Sequence, residues 1–269
     1  MNRTILSLAL IFLTSACATS PTGRSQLMLI SPESAIVESK RAYLTTVNDL
    51  EAKNKLVNDP ATVGRVQNIT GRLVTEAIKK YPRSANWEWS VAIVDDPETV
   101  NAWCMAGGRM AVYTGLFEKL NLTDDEFAQI MGHEISHALA NHTAERMSVA
   151  MASSLGVLAV GIASDNRGAT MTGAALAATL ALELPNSRTA ESEADRIGLE
   201  LAVRAGFKPG AAVTLWQKMG SVGGSPPQFL STHPSPGNRK DRLAELIPEM
   251  SKLNPDGKLS PIHPVQIIQ

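Results

Sequence analysis

The sequence of 269 residues has few cysteines, little net charge and no apolar run clearly long enough to cross a membrane. Two cysteines cannot supply the disulfide framework that stabilises small secreted domains. The 25 Lys and Arg residues nearly balance the 26 Asp and Glu residues, for a net charge of −1. We therefore expect no nucleic-acid partner bound through bulk positive charge. An apolar content of 44% is typical of a globular chain and excludes intrinsic disorder.

The first 16 residues have the pattern of a secretory signal peptide. One cation, Arg3, precedes a short apolar run, and small residues stand directly before Cys17. The alternative, a buried helix, is disfavoured because the turn-forming residues that follow leave it without a partner. Small residues followed by cysteine resemble a bacterial lipobox, although Thr14 occupies the position of its usual large aliphatic residue. We predict a signal peptide over 1–16, followed by a lipidated Cys17 and a linker to residue 30. The lipid would anchor the chain in the outer membrane, facing the periplasm.

The rest of the chain predicts a mainly helical α+β fold. A domain is expected over 31–250, followed by an irregular tail over 251–269. Two short β-type runs that meet at Gly107 and Gly108 predict a hairpin. Thr123 and Glu126 form a capping-box pattern that begins a long helix near Asp124. An uncharged, Ala-rich region over 147–182 favours a packed helical hairpin, with membrane insertion as the alternative. Further predicted helices span 31–55, 60–80, 187–205 and 210–219. A strand is predicted over 87–94 and a loop over 220–236, followed by a last helix that ends near residue 246.

Histidine is scarce as well, and three of the five histidines lie within ten residues. His133, Glu134 and His137 form an H-E-x-x-H pattern inside the predicted capped helix. Residues four apart lie on one helical face, so both imidazoles can bind one metal ion, and the glutamate beside them is placed as a general base. The pattern predicts the metal site of a zinc-dependent peptidase.

Two histidines do not complete a catalytic zinc site, which has three protein ligands. His142 follows His137 by five residues, so a regular helix points it about 140° away. The metzincin arrangement is excluded, because Thr143 occupies the position of its third histidine. We therefore expect a carboxylate ligand from another helix.

Residues 187–198, SRTAESEADRIG, offer that carboxylate. Glu191 and Asp195 are one helical turn apart, so Glu191 can bind the metal while Asp195 accepts a hydrogen bond from a ligand imidazole. Glu193 points about 200° away from Glu191 and cannot bind the same ion. The alternative interpretation is a solvated acidic helix face.

The segments HEISHALANH and ESEAD together resemble the HtpX-type and CAAX-prenyl-protease-type zinc metalloprotease family of the gluzincin clan. The N-terminal cysteine and TGRSQLMLIS resemble the periplasmic lipoprotein branch of that family. The resemblance implies a minigluzincin-like fold and one Zn²⁺ bound by the ligands His133, His137 and Glu191. It also implies Glu134 as the base and Asp195 as the partner of a ligand. Asn101, Ala102 and Trp103 would then form an edge strand that pairs with an extended polypeptide substrate.

His233 and Arg239 lie near the predicted loop before the last helix, where a Thr-His-Pro element is similar to one in the family. We list both as candidate catalytic residues. One hypothesis makes His233 an oxyanion donor, and another makes it a fourth ligand that displaces water in a resting enzyme. The alternative is a plain connecting loop, with Ser235 as the N-cap of the last helix and Pro236 in its first turn.

The preferred function is a zinc endopeptidase of the bacterial cell envelope. That it acts on unfolded or misassembled proteins is implied by the family resemblance alone. A non-proteolytic chaperone or assembly lipoprotein with a structural metal is the main alternative. Glu134 argues against it, because a structural site needs no base. A membrane-embedded CAAX-type protease would require true spanning helices.

Overall fold

A computed structural model describes residues 17–163, 186–221, 227–234 and 238–269. The predicted signal peptide, the second half of the predicted Ala-rich hairpin, Ser235 and Pro236 lie outside the described residues. The chain divides into a smaller unit, residues 1–35 and 140–184, and a larger unit, residues 36–139 and 185–269. The elements in chain order are β1 (Cys17–Thr19), β2 (Ser25–Leu27), α1 (Pro32–Ala52), α2 (Pro60–Lys80), β3 (Ser90–Val94), β4 (Ala102–Met105), β5 (Arg109–Tyr113), α3 (Gly115–Leu120), α4 (Asp124–Leu139), α5 (His142–Ala163), α6 (Arg188–Arg204), α7 (Ala211–Ser221), α8 (Gln228–Thr232), α9 (Arg239–Met250) and β6 (Gln266–Ile268).

In the smaller unit, the segment predicted as a linker folds into a hairpin. Strands β1 and β2 pair antiparallel, with Cys17 opposite Leu27. The guanidinium of Arg24 donates two hydrogen bonds of 2.6 and 2.7 Å to the carboxylate of Glu145 on α5. These partners are 121 residues apart, so no local pattern could have predicted the hairpin. Cys17 is exposed.

In the larger unit, a four-stranded sheet has the order β4-β5-β3-β6. The predicted hairpin is confirmed, because β4 pairs antiparallel with β5 and places Trp103 opposite Ala111. Strand β3 runs parallel to β5 and to β6. Strand β4 therefore lies at one edge of the sheet.

The prediction of an irregular tail is wrong. Residues 266–268 form β6 and pair with the start of β3, where Gln266 lies opposite Ser90. Val265 is buried, and the backbone N–H of His263 donates to the carbonyl of Gly71. A three-residue strand whose partner is far away in sequence carries no local periodicity that could reveal it.

Apart from the Ala-rich hairpin, whose second half lies outside the described residues, the predicted helices are confirmed, and they make the fold mainly helical. The prediction of a loop over 220–236 is wrong for residues 228–232, which form α8, and α3 was not predicted.

At the start of α4, the Thr123 backbone N–H donates to Glu126 Oε2 at 2.9 Å, and the Glu126 N–H donates to Thr123 Oγ1 at 3.2 Å, which is the predicted capping box. Helix α4 ends at Leu139, before Asn141, which has a positive φ of 57°. His142 therefore belongs to the next helix, α5. Within the described ranges, no helix combines the length and apolar content that crossing a bilayer requires.

Candidate metal centre

Two helices of the larger unit, α4 and α6, cross at a pair of glycines. A Cβ atom on Gly198 would lie 2.7 Å from the backbone nitrogen of His133, and a Cβ atom on Gly132 would lie 2.8 Å from the carbonyl oxygen of Gly198. Real Cβ atoms do not approach this closely, so only glycine permits the crossing. The contact brings the H-E-x-x-H segment of α4 against the turn of α6 that carries Glu191.

Four buried side chains meet at this crossing, and their ligand atoms all lie within 4.8 Å of one another: His133, His137, Glu191 and His233. His133 Nε2 lies 3.0 Å from His137 Nε2 and 3.3 Å from His233 Nδ1. Glu191 Oε1 lies 3.0 Å from His233 Nδ1 and 3.4 Å from His137 Nε2. Each side chain is at most 6% exposed.

The spacing and the donor types suit a zinc ion. A tetrahedral site with metal–nitrogen distances of 2.0–2.1 Å has ligand atoms about 3.3 Å apart, close to the separations of 3.0 to 3.4 Å between these atoms. Glu191 Oε2 is buried without a hydrogen-bond partner. The residues present therefore fit the metal expected from the sequence.

Asp195 contacts the first ligand as the sequence predicted. Its Oδ1 lies 3.1 Å from His133 Nδ1, so it can accept that proton and leave the lone pair of Nε2 free for a metal. The same oxygen accepts hydrogen bonds from Nε of Arg239, at 3.0 Å, and from its Nη2. Arg239 Nη1 lies 3.3 Å from Glu191 Oε2.

Glu134 lies beside the four donors. It is 2% exposed, and its Oε1 has no hydrogen-bond partner. His233 Nε2 lies 3.4 Å from that oxygen, while His233 Nδ1 faces the other donors. The imidazole of His233 thus stands between the carboxylate of Glu134 and the metal position.

Burial sets the protonation of the groups around the centre. Burial raises the pKa of Glu134 above its ordinary value, although His233 and His133 act in the opposite direction. Burial would also raise the pKa of Glu191, but His137 and His133 hold it well below its usual range. Burial and the charge of Glu134 raise the pKa of the Cys104 thiol well above its ordinary value. Glu134 is thus a stronger base than a free glutamate, and Cys104 remains a protonated thiol.

The predicted substrate strand lies at the sheet edge, and its first residues already have backbone partners. The Asn101 side chain accepts a hydrogen bond of 3.0 Å from the Ala102 N–H. The carbonyl of Val100 accepts one of 3.1 Å from the N–H of Phe229 in α8. Segment α8 is thereby attached to the start of the predicted substrate strand.

Glu193 and His142 are buried but do not belong to the group of four donors. His142 lies outside this group because the helix breaks at Asn141 and not, as predicted, because one regular helix turns it away. His233 does belong to the donor group, so the plain-loop alternative does not describe its position. Sequence reasoning missed the glycine pair, whose only signal was a glycine inside each of two predicted helices.

A buried group of three imidazoles and one carboxylate, with two of the imidazoles on an H-E-x-x-H helix, defines the site of a zinc metallopeptidase. Comparison with known families agrees, because residues 60–247 match the model of Peptidase family M48. The chain belongs to this family.

Named relatives are similar over most of this chain. The mitochondrial metalloendopeptidase OMA1 of Bos taurus is 32% identical over 245 residues, which cover 86% of this chain and 46% of that protein. The OMA1 of Schizosaccharomyces pombe is 34% identical over 60% of this chain and 48% of its own length. The beta-barrel assembly-enhancing protease of Escherichia coli is 28% identical over 78% of this chain and 43% of its own length. The chain thus spans less than half the length of these relatives.

Proposed function

We propose that this chain is a zinc-dependent endopeptidase. The observation that carries the proposal is the position of Glu134, whose buried, unpartnered carboxylate oxygen lies beside a zinc-type donor group. A structural metal site needs its ligands only. An additional carboxylate with one oxygen free of hydrogen bonds is what a general base requires.

His133, His137 and Glu191 would hold the ion, with Asp195 fixing the imidazole of His133. When bound, zinc supplies Lewis-acid chemistry by polarising the scissile carbonyl and lowering the pKa of water toward about 7. Glu134 takes a proton from the attacking water and then donates it to the leaving amine. The pKa of Glu134, raised by burial, suits both steps because the group must accept and release a proton.

The substrate class we propose is a polypeptide in extended conformation. Strand β4 is an edge of the sheet and belongs to the same unit as the metal centre. A peptide that pairs with Asn101, Ala102 and Trp103 would gain backbone hydrogen bonds that do not depend on its sequence. Such pairing favours unfolded chains, because a folded protein seldom offers a free strand.

Hydrolysis requires His233 to move. Water must reach the space between Glu134 and the metal, and the ring of His233 occupies that space. We therefore propose that His233 is a fourth ligand in a resting state. The Phe229 N–H on the Val100 carbonyl suggests that release of α8 also frees the start of the substrate strand. Arg239 is buried behind His133 and Asp195, which favours a role in holding ligands over contact with substrate.

For the cellular setting we propose the bacterial cell envelope, with lipid on Cys17 attaching the chain to the outer membrane on its periplasmic side. The signal-like leader and the exposure of Cys17 support this assignment. The proposed role is hydrolysis of unfolded or misassembled envelope proteins. The name of the E. coli relative, a beta-barrel assembly-enhancing protease, points in the same direction.

One observation favours a second candidate, a non-proteolytic chaperone or assembly lipoprotein with a structural metal. Four donors close the metal site, as structural zinc sites are closed. This candidate leaves the unpartnered carboxylate of Glu134 without a role.

Hydrolysis of an unfolded protein by Glu134→Gln separates the two candidates. We expect the rate to fall by about 10²- to 10⁴-fold, as for loss of a general base, with zinc content equal to wild type. Glu118→Gln removes one exposed carboxylate on α3 and is the control, which should cleave like wild type. Equal cleavage by Glu134→Gln and wild type would refute the mechanism. If neither the zinc-loaded wild type nor His233→Ala cleaves the unfolded protein, the second candidate, a chaperone with a structural metal, is favoured.

A further inference from the structure

An aromatic side chain with no assigned role lies one layer behind the metal centre. Trp216, on α7, carries the guanidinium of Arg239 on its ring face, with the guanidinium carbon 3.7 Å from the ring centroid. Trp216 is half-buried, whereas Arg239 is only 3% exposed. A cation held against an indole face in a partly dry setting is attracted to the electron-rich face of the ring.

From this position Arg239 contacts three predicted metal-site residues: Asp195, Glu191 and His133, whose Nδ1 lies 3.1 Å from Arg239 Nη2. Its Nε–H and one Nη2–H are directed at Asp195 Oδ1, which also lies 3.1 Å from His133 Nδ1. Its Nη1, buried without a hydrogen-bond partner, lies 3.3 Å from Glu191 Oε2. One planar cation thereby faces the carboxylate that orients His133 and the carboxylate that supplies a ligand.

The backbone gives Arg239 little help in keeping this position. Arg239 is the first residue of α9, and Asn238 before it makes no side-chain capping bond. The positive end of a helix dipole disfavours a cation at this place. The side chain therefore depends on its acidic partners and on the face of Trp216.

The ring also lines a cavity of about 20 Å³ together with His133 and Asp195. This volume is enough for one water molecule. A smaller side chain at position 216 would admit solvent beside the Arg239–Asp195 pair, and solvent weakens a charge pair.

We propose that Trp216 is a positioning residue of the zinc site. Its ring holds Arg239 in the plane that pairs with Asp195, and Arg239 in turn fixes the orientation of His133 and of Glu191. The proposal rests on the zinc site within the proposed function and does not depend on peptide hydrolysis. A chain that binds zinc but cleaves nothing would still satisfy it.

The test measures zinc affinity of the full chain by competition with a chelator. We expect Trp216→Leu to weaken zinc binding about tenfold, and Trp216→Phe, which keeps an aromatic face, to stay within about threefold of wild type. Trp87→Leu is the matched control, because Trp87 is also half-buried but packs on Trp89 instead of on a cation. It should leave zinc affinity unchanged.

A double-mutant cycle with Arg239→Lys distinguishes positioning from general loss of packing. Lysine keeps the charge but loses the planar stack and the two-pronged pairing with Asp195. If Trp216 acts through Arg239, the double variant binds zinc about as weakly as Arg239→Lys alone. Additive losses, equal losses in Trp216→Leu and Trp216→Phe, or unchanged affinity in Trp216→Leu would each overturn the proposal. Thermal unfolding of the zinc-free variants verifies that each is folded before affinity is compared.

Discussion

The metal centre has two sides that are built differently. On one side, His133, His137 and Glu191 stand on α4 and α6, helices of 16 and 17 residues that cross at close glycine contact. On the other side, His233 follows α8, a helix of five residues without a side-chain cap. Phe229 attaches this short helix through one backbone hydrogen bond and stacks on His233 with ring centroids 4.4 Å apart.

This difference indicates which ligand can exchange. Moving any ligand on the long helices would disturb the packing of α4 against α6. Moving His233 together with α8 breaks two backbone hydrogen bonds of about 1 kcal/mol each, from the Phe229 N–H to the Val100 carbonyl and from the Asn186 N–H to the Thr232 carbonyl. It also removes the contact of His233 Nδ1 with Glu191 Oε1. Three of the four donors therefore stand on long helices packed against each other, whereas His233 follows a helix of only five residues.

The contrast between the two sides would be broken if a ligand on the long helices proved dispensable. Glu191→Gln replaces a charged donor by a weak neutral one, and we expect zinc affinity to fall more than about 100-fold, beyond the loss typical for a mere partner of a ligand. Glu193→Gln, two residues away on the same helix, should leave the affinity within about twofold. Zinc affinity is measured by competition with a chelator. If the two variants bind zinc equally well, Glu191 is not a ligand.

The glycine crossing offers a second way to test the rigid side. Gly198→Ala would place a Cβ atom 2.7 Å from the His133 nitrogen, so α4 and α6 must separate. We expect about 1–3 kcal/mol lower stability, together with weaker zinc binding. Gly64→Ala is the control: its Cβ atom meets nothing within 4 Å, and it should raise stability by about 0.5–1 kcal/mol. Thermal unfolding with and without zinc measures both effects, and an unperturbed Gly198→Ala protein would contradict the role of the crossing.

Removal of the exchangeable ligand sharpens the contrast from the other side. His233→Ala should raise hydrolysis of an unfolded protein by about tenfold, if the resting state holds about 90% of the molecules. Zinc affinity should fall by less than it does for Glu191→Gln. His263→Ala, in the C-terminal segment, is the control and should behave like wild type. A large loss of activity would assign His233 to catalysis, and no change would exclude both roles.

Local sequence patterns were sufficient for the longer helices and for the positions of His133, Glu134, His137 and Glu191 on their helix faces, but not for the short helices α3 and α8. The H-E-x-x-H spacing and the Glu191–Asp195 spacing place side chains on one face of a helix, and the helical period is set by the backbone alone. The capping box at Thr123 is equally local. These features could be predicted because each depends on residues within one or two turns.

Features that need distant partners were missed or left open. Strand β6 has only three residues, and its partner β3 is some 170 residues earlier, so its short sequence gave no sign of pairing. The hairpin of β1 and β2 likewise has a distant partner, because Arg24 in its turn pairs with Glu145 on α5. The position of His233 also remained open, because a residue in a connecting segment has no periodicity to direct it.

The sequence by itself determined which candidate residues share a helix face: the two histidines of H-E-x-x-H, and Glu191 with Asp195, because the helical period fixes their spacing. Only the tertiary structure decided how these groups meet. The glycines at 132 and 198 let two helices approach, and the stack of Arg239 on Trp216 places a cation behind three of the predicted metal-site residues. Helical geometry is local, whereas close packing is a property of surfaces that folding alone brings together.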